Sequence, residues 1–173
     1  QLLFSEKNIL AGNVLKSSEN LFTLEQTSTQ QDGNSNPKYE KIYLVKKNSF
    51  GSREWIMDLG ISDEESGISM TLDSHDNVYI TGYTRNRFES KKKSGDFIVF
   101  LAKYTSFGSR EWIKKLGKSE VEYGARLIVD SYDNIYVTGF SDVFELDNEV
   151  VPRKTLLAKY DTSGNIEWTK ILG

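Results

Sequence analysis

The feature that most constrains this chain is an internal repeat with a period of 56 to 57 residues. The octapeptide SFGSREWI occupies 49–56 and 106–113, and a looser copy, TSGNIEWT, occupies 162–169. The repeat spaces the three tryptophans 57 and 56 residues apart, at Trp55, Trp112 and Trp168. A repeat of this length is one supersecondary unit, which buries its apolar faces by stacking on neighbouring units.

Two further landmarks keep the same period and divide each unit into four short strands. LDSHDNVYITGYT begins at Leu72, VDSYDNIYVTGFS begins at Val129, and a worn copy begins at Leu15. The cluster Asp-Ser-x-Asp-Asn predicts a tight hairpin, because its short side chains bond their own backbone and its Asn tolerates the left-handed conformation that such a turn requires. An apolar stretch such as IVFLAKY, from Ile98, predicts a strand covered on both faces. Helical spacing and capping signals are missing throughout.

A four-stranded antiparallel unit that repeats with a Trp is typical of a β-propeller blade. The sequence therefore predicts an all-β fold, with three four-stranded antiparallel blades of a partial propeller at about 4–60, 61–117 and 118–173. We expect the tryptophans to pack between blades and two glycines to allow close approach of the next blade. The predicted structural residues are Trp55, Trp112, Trp168, Gly82, Gly139, Asp73, Asp130, Asn77 and Asn134.

The order of the landmarks resembles a known bacterial family. An Asp-Ser-x-Asp-Asn-(Val/Ile)-Tyr-(Ile/Val)-Thr-Gly segment, an apolar strand ending in Lys-Tyr and a Gly-x-x-x-Trp segment are similar to the SBBP β-propeller repeat, a relative in style of NHL repeats. Asp76 and Asp133 stand where that family usually has Gly, a change that the turn tolerates because Asp also visits the left-handed region. The first unit departs further, with Lys16, Glu25 and Lys47 at its Asp, Gly and Tyr positions. The resemblance implies an exported protein on a bacterial surface.

Three blades are fewer than the four to eight of a closed propeller, so we expect a partner to complete the ring. One period before Trp55 falls just ahead of the first residue, which favours an excised segment of a longer propeller. The alternative is a natural half-ring, which pairs with a second copy as a homodimer. The expected partners are therefore additional blades from the same parent chain or from a second copy.

Composition excludes several classes of function. The 173 residues hold 22 Lys and Arg against 25 Asp and Glu, a net charge of −3, and 38% are hydrophobic, as in a folded water-soluble domain. No broad basic field suits a nucleic acid, and no apolar run is long enough to span a membrane. With no cysteine and one histidine, His75, whose counterparts are Ser18 and Tyr132, we expect no catalytic residue, metal site or cofactor.

The segments that differ between units are the predicted loops between second and third strands, where binding residues tend to lie. One is basic and predicts contact with an acidic polymer, a glycan sulfate or the acidic patch of a protein. Another is acidic, and lacks the spacing of a calcium-binding EF-hand loop. For both, an ordinary solvated loop is the alternative. The candidate binding residues are Arg85, Arg87, Phe88, Lys91, Lys92 and Lys93 in the basic loop, and Asp142, Phe144, Glu145, Asp147 and Glu149 in the acidic loop.

These features favour a noncatalytic binding or scaffold module, with a protein or glycan as its ligand. The alternative is a fragment of a propeller enzyme, a lyase or a quinoprotein-type dehydrogenase, whose catalytic residues lie in other blades. That alternative depends on 160–168, which is similar to the tryptophan-docking motif of propeller quinoproteins. A purely structural spacer is the third hypothesis.

Overall fold

The structure, a computed structural model, describes residues 7–17, 19–29, 38–59, 65–85, 97–116, 122–141, 145–146, 149–150 and 154–172. The chain forms two compact units, Gln1–Glu65 and Ser66–Gly173, which are described separately. The described residues form strands and turns without a helix. Accordingly, none of their segments is a helix that could span a membrane.

The first unit contains one antiparallel sheet, called blade 1, in which the strands follow each other in chain order. Its strands are β1 (Lys7–Lys16), β2 (Asn20–Thr29), β3 (Lys38–Asn48) and β4 (Arg53–Asp58). Leu24 pairs with Leu44 at the centre of the sheet, and both side chains are fully buried. This unit therefore places its apolar core along the two central strands.

The second unit contains two more four-stranded antiparallel sheets, blades 2 and 3. Blade 2 consists of β5 (Glu65–Leu72), β6 (Val78–Arg85), β7 (Phe97–Tyr104) and β8 (Arg110–Leu116). The remaining strands are β9 (Glu122–Val129), β10 (Ile135–Ser141), β11 (Glu145–Leu146), β12 (Glu149–Val150), β13 (Lys154–Tyr160) and β14 (Ile166–Leu172). Blade 3 has the order β14-β13-β10-β9, and β11 pairs with β12 as a separate short hairpin.

The third strand of blade 2 is covered on both faces, as its continuous apolar sequence predicts. Successive residues of a strand point to opposite faces, and Val99, Phe100, Leu101 and Ala102 are all buried. The fold class is thus confirmed: the protein is all-β, with three four-stranded antiparallel blades of a partial propeller. The residue limits predicted for the blades stay a prediction.

The first tight turn of blade 2 is a hairpin turn with one left-handed residue. Asp76 donates its backbone N–H to the carbonyl of Asp73 at 3.2 Å, and Asp73 donates to that of Asn77 at 3.1 Å. The left-handed residue is Asp76, with φ of 61°, which stands where the SBBP repeat usually has Gly, and the Asn that follows it is not left-handed. Asn77 instead donates its side-chain amide to Asp73 Oδ2 at 2.9 Å. The turn of blade 3 repeats this arrangement, with Asp133 as the left-handed residue.

The two predicted strand glycines differ in their surroundings. Gly82 is buried in β6 and pairs with Phe100 of β7. Gly139 lies in β10 where the register against β9 shifts between Thr138 and Phe140. A β-bulge of this kind is a common position for glycine in a strand. The register shift within its own sheet is therefore one reason for a glycine at position 139.

Candidate functional site

The described surface with the most specific chemistry is the contact between blades 2 and 3, called the joint. Its apolar part is a cluster of buried side chains from both blades. The cluster comprises Tyr79, Val99 and Leu101 of blade 2 and Leu127, Ile135, Val137, Ala158 and Tyr160 of blade 3, with Trp112 and Val129 packed against it. Burial of one large apolar side chain contributes about 1.5–3 kcal/mol, so this cluster holds the two sheets together.

The indole of Trp112 lies against the second tight turn of blade 3. A Cβ built on Gly164 would be 2.8 Å from Cη2 of Trp112, closer than a real Cβ approaches another atom. Gly164 also has a φ of 73°, a backbone conformation that side chains disfavour. Beside it, Lys114 Nζ donates to Asn165 Oδ1 at 3.0 Å and lies 5.7 Å from the Trp112 ring centroid. Gly164 and Asn165 thus form a seat for a Trp and a Lys of the neighbouring blade.

A hydrogen-bonded latch joins the first turns of the two blades. Ser74 donates its backbone N–H to Asp133 Oδ1 at 2.8 Å and its hydroxyl to Asp133 Oδ2 at 2.7 Å. These hydrogen bonds lower the pKa of Asp133, because they favour the charged carboxylate. His75 Nδ1 lies 3.6 Å from the same carboxylate, although its side chain is 76% exposed. His75 is therefore a surface residue beside the latch.

Each blade also contains one aromatic pair in the same geometry. The ring centroids are 6.0 to 6.2 Å apart and the rings are tilted by 57° to 59°. The pairs are Phe22 with Trp55, Tyr79 with Trp112, and Tyr136 with Trp168. The predicted structural tryptophans thus occupy equivalent places in their own sheets, and Trp112 also contacts the next blade in unit 2.

A Lys–Glu ion pair beside each Trp is a feature that the sequence analysis missed. The nitrogen–oxygen distances are 2.8 to 3.0 Å, and each Lys side chain is less than 20% exposed. The pairs are Lys46 with Glu54, Lys103 with Glu111, and Lys159 with Glu167. The Glu167 carboxylate raises the pKa of Lys159, because it accepts a hydrogen bond from the ammonium group. The sequence could have revealed these pairs, since the Lys and the Glu recur in all three repeats.

Three aspartates close three of the four described tight turns of unit 2 with their side chains, and Thr105 closes the fourth. Asp73, Asp130 and Asp161 each accept backbone N–H groups two and four residues ahead, at 2.8 to 2.9 Å. Hydrogen bonds from Asn134 and Asn165 lower the pKa of Asp130 and Asp161 respectively. The predicted structural residues Asp73, Asp130, Asn77 and Asn134 lie in these turns, and Asp161 is an equivalent residue that the prediction did not include.

Burial also affects the tyrosines of the two aromatic pairs in this unit. It raises the pKa of Tyr79, and the nearby charge of Asp73 adds to the effect. It raises the pKa of Tyr136 too, whose hydroxyl donates to Asp130 Oδ2 at 3.1 Å. Both groups therefore keep their protons over the physiological range and serve packing and turn geometry.

The connections between second and third strands leave unit 2 at the edge opposite the latch, called the loop edge. Arg85 pairs with Phe97 at the end of blade 2, and Ser141 pairs with Lys154 at the end of blade 3. Most candidate binding residues of these connections lie outside the described residues: Arg87, Phe88, Lys91, Lys92, Lys93, Asp142, Phe144 and Asp147. Arg85 ends β6, whereas Glu145 and Glu149 lie in β11 and β12.

The acidic connection therefore contains a short hairpin, in which Glu145 pairs with Val150 and Leu146 with Glu149. The structure describes the backbone pairing of these residues. Elsewhere in the described ranges, no three His, Asp or Glu side chains are grouped as a metal site. The chemistry on view in these ranges is accordingly that of turns and blade contacts.

Comparison with known proteins gives one informative likeness. No family model matches the chain, that of the SBBP repeat included. The chain is similar to an uncharacterised WD repeat-containing protein of Acanthamoeba polyphaga mimivirus, with 22% identity over 158 residues. The match covers 68% of this chain and 11% of the viral protein. WD repeats form four-stranded propeller blades, so the likeness agrees with the sheets described above.

Proposed function

We propose that this chain is a noncatalytic interaction module of the propeller type, which binds a macromolecular partner at the loop edge. The observation that carries the proposal is that, within unit 2, structural contacts and sequence variation fall on different segments. Its repeated polar residues hold the tight turns, the latch and the Lys–Glu pairs, whereas the two connections that leave at the loop edge differ in sequence and in charge. Binding residues concentrate on such variable connections when a rigid sheet scaffold positions them.

The WD-repeat likeness supports the same class of function, because repeat proteins of this kind commonly present binding surfaces on a stacked scaffold. Completion of a ring by additional blades, from a longer parent chain or from a second copy, belongs to the proposal. The SBBP-type repeat and export to a bacterial surface stay predictions. The fragment of a lyase or quinoprotein-type dehydrogenase also stays an alternative prediction.

The basic connection sets the chemistry of the proposed ligand, which is a dense array of anionic groups on a glycan or a protein. Two defined probes represent these sources, heparin for a sulfated glycan and poly-glutamate for an acidic protein surface. We expect the chain to bind at least one of them with an affinity that falls as salt is added. The binding is measured by isothermal titration calorimetry.

The test variant reverses three charges, Lys91→Glu, Lys92→Glu and Lys93→Glu. We expect it to weaken probe binding by about tenfold or more and to leave the melting temperature unchanged. The matched control reverses three charges near the tight turns, at Lys16, Arg53 and Arg110, whose side chains are exposed. An equal loss in both variants would show that net charge rather than the loop edge attracts the probe, and no binding to either probe would refute the proposed ligand chemistry.

A further inference from the structure

The face of blade 3 that corresponds to the joint face of blade 2 is open. In blade 2, Leu101 and Tyr79 are fully buried in the joint. Their counterparts, Leu157 and Tyr136, are only partly buried. Ile128, which pairs with Tyr136 across the sheet, is 64% exposed. Because directly paired residues of neighbouring strands point to the same face, these side chains lie on one apolar surface.

The polar groups of the joint recur on this open face as well. Trp168 is the counterpart of Trp112, and Lys170 Nζ lies 5.2 Å from its ring centroid, much as Lys114 does in blade 2. Ser131, the counterpart of Ser74, is exposed in the first turn. The open face thus has the apolar residues, the indole, the ammonium group and the hydroxyl with which blade 2 contacts blade 3.

Charge indicates what can cover this face. Lys170 and Leu157 lie in one row with Thr138 and Arg126, and both Lys170 and Arg126 are exposed. Two copies of the face would bring these cations together, which disfavours a symmetric contact between two blades 3. A suitable occupant supplies acceptors instead: a carboxylate for Ser131, a bare backbone for the indole, and an amide or hydroxyl oxygen for Lys170.

Every unit of this sequence has that set of acceptors at the positions that form the seat and the latch. The sets are Glu19, Gly51 and Ser52 in the repeat of blade 1, Asp76, Gly108 and Ser109 in that of blade 2, and Asp133, Gly164 and Asn165 in that of blade 3. The glycine has a left-handed φ in all three, from 73° to 87°. The acceptor side of the joint is therefore a property of the repeat and not of blade 3 alone.

We propose that the open face of blade 3 is a docking site for a further blade of this repeat type, recognised by a carboxylate in its first turn and a Gly followed by an oxygen-bearing side chain in its second. This inference deepens the proposed completion of a ring. It does not depend on ligand binding at the loop edge, which involves other residues and is tested separately.

The experiment extends the chain by a second copy of 118–173 after Gly173 and measures protection of the open face. The chain has no cysteine, so Leu157→Cys in the resident blade 3 introduces one thiol as a probe. We expect the thiol to react readily in the 173-residue chain and about tenfold or more slowly in the extended chain. Phe107→Cys, at a residue that is 86% exposed in a turn, is the control and should react alike in both.

Two variants test the chemistry of recognition. Gly164→Leu in the appended copy alone should restore fast labelling, because its side chain would occupy the place of the Trp168 indole. Since that change could unfold the copy, a charge exchange provides a second test. Lys170→Asp in the resident blade, against a copy with unchanged Asn165, should weaken protection, and Asn165→Lys in the copy should recover it.

Fast labelling of the thiol in the extended chain would overturn the proposal. Protection that stays the same in the Gly164→Leu variant and in the charge-exchange variants would overturn it too. Protection that appears in the 173-residue chain as its concentration rises would also support the docking site, with a blade of a second copy as its occupant. Loss of heparin or poly-glutamate binding does not bear on these results, so failure here and failure of the loop-edge proposal are distinguishable.

Discussion

Blade 1 and the two blades of unit 2 fill one pair of equivalent core positions in different ways. Blades 2 and 3 have a Gly and a buried Tyr there, Gly82 with Tyr104 and Gly139 with Tyr160. Blade 1 has Glu25 and Lys47, whose side chains form an ion pair at 2.8 Å. The Glu25 side chain is only 7% exposed. Two departures from the repeat, 22 residues apart, therefore compensate each other in space.

The first turns differ in a comparable way. In blades 2 and 3 an Asp closes the turn with its carboxylate, whereas blade 1 has Lys16 at that position. There, Ser17 donates its backbone N–H to the carbonyl of Asn20 and accepts a hydrogen bond from the Asn20 N–H on its hydroxyl. The comparison shows that the sheet topology of the repeat tolerates a change of residue type in a turn or in the core when the new side chains supply replacement hydrogen bonds.

The largest expected effect comes from breaking the ion pair in blade 1. Lys47→Met would remove the cation that pairs with the Glu25 carboxylate, which also accepts a hydrogen bond from Thr23 Oγ1 at 3.3 Å. Removal of one partner of a buried ion pair costs about 3–5 kcal/mol, because the remaining charge is poorly solvated. Urea unfolding of the variant, followed by tryptophan fluorescence, measures this loss in the free energy of unfolding.

The control gives blade 1 the Gly and the Tyr that blades 2 and 3 have at these two positions. The double change Glu25→Gly and Lys47→Tyr removes both charges, and we expect it to lie within about 1 kcal/mol of the wild type, since apolar replacements of buried ion pairs are often neutral. Equal destabilisation by the single and the double change would show that the two positions do not compensate each other.

The second prediction compares two glycines with similar backbone angles. Gly51→Ala in blade 1 strains a residue at φ of 79° with no atom within 4 Å of the new Cβ, so we expect a cost of about 1 kcal/mol. Gly164→Ala adds a collision with the Trp112 ring and should cost about 2–3 kcal/mol. The difference in unfolding free energy isolates the contribution of the joint, and Trp112→Ala should abolish that difference. Equal costs for both glycines in the wild-type background would refute the seat.

The sequence predicted those parts of the fold that local chemistry determines. Turn clusters, period-two strands and the continuously apolar β7 located the sheets, because each signal acts over a few neighbouring residues. The sequence did not decide which residue of the turn is left-handed, since Asp and Asn both tolerate that conformation; in the structure it is the Asp.

Contacts between distant residues were the harder problem. The latch joins Ser74 to Asp133 across 59 positions, and nothing in either turn alone indicates that the carboxylate faces another blade. The ion pair of Glu25 and Lys47 looked like two unrelated departures from the repeat. The recurring Lys and Glu beside each Trp could have been found, since both keep the period of the repeat.

The smallest expected effect is that of low pH on the stability contributed by the latch. The latch belongs to unit 2, and in blade 1 Glu19 occupies the position of Asp133. Hydrogen bonds from Ser74 lower the pKa of Asp133 in the folded protein. A group with a lowered folded pKa contributes stability above its unfolded pKa, about 3.9, and loses that contribution as pH falls through the folded value. We therefore expect Asp133→Asn, which keeps a residue that tolerates the left-handed conformation, to lower the melting temperature by a constant margin at neutral pH.

Below about pH 4 that margin should shrink, because the unfolded wild type takes up the proton first and, once pH falls through the lowered folded pKa, the folded carboxylate is protonated and the wild-type latch weakens. The Asn of the variant does not titrate, so the variant loses nothing further at this position. Melting temperatures of the wild type and of Asp133→Asn between neutral and strongly acidic pH measure the margin. Glu19→Gln is the matched control, since it removes the exposed carboxylate at the equivalent turn position of blade 1. A margin for Asp133→Asn that persists unchanged into strong acid would mean that the hydrogen bonds from Ser74 do not require the charged carboxylate.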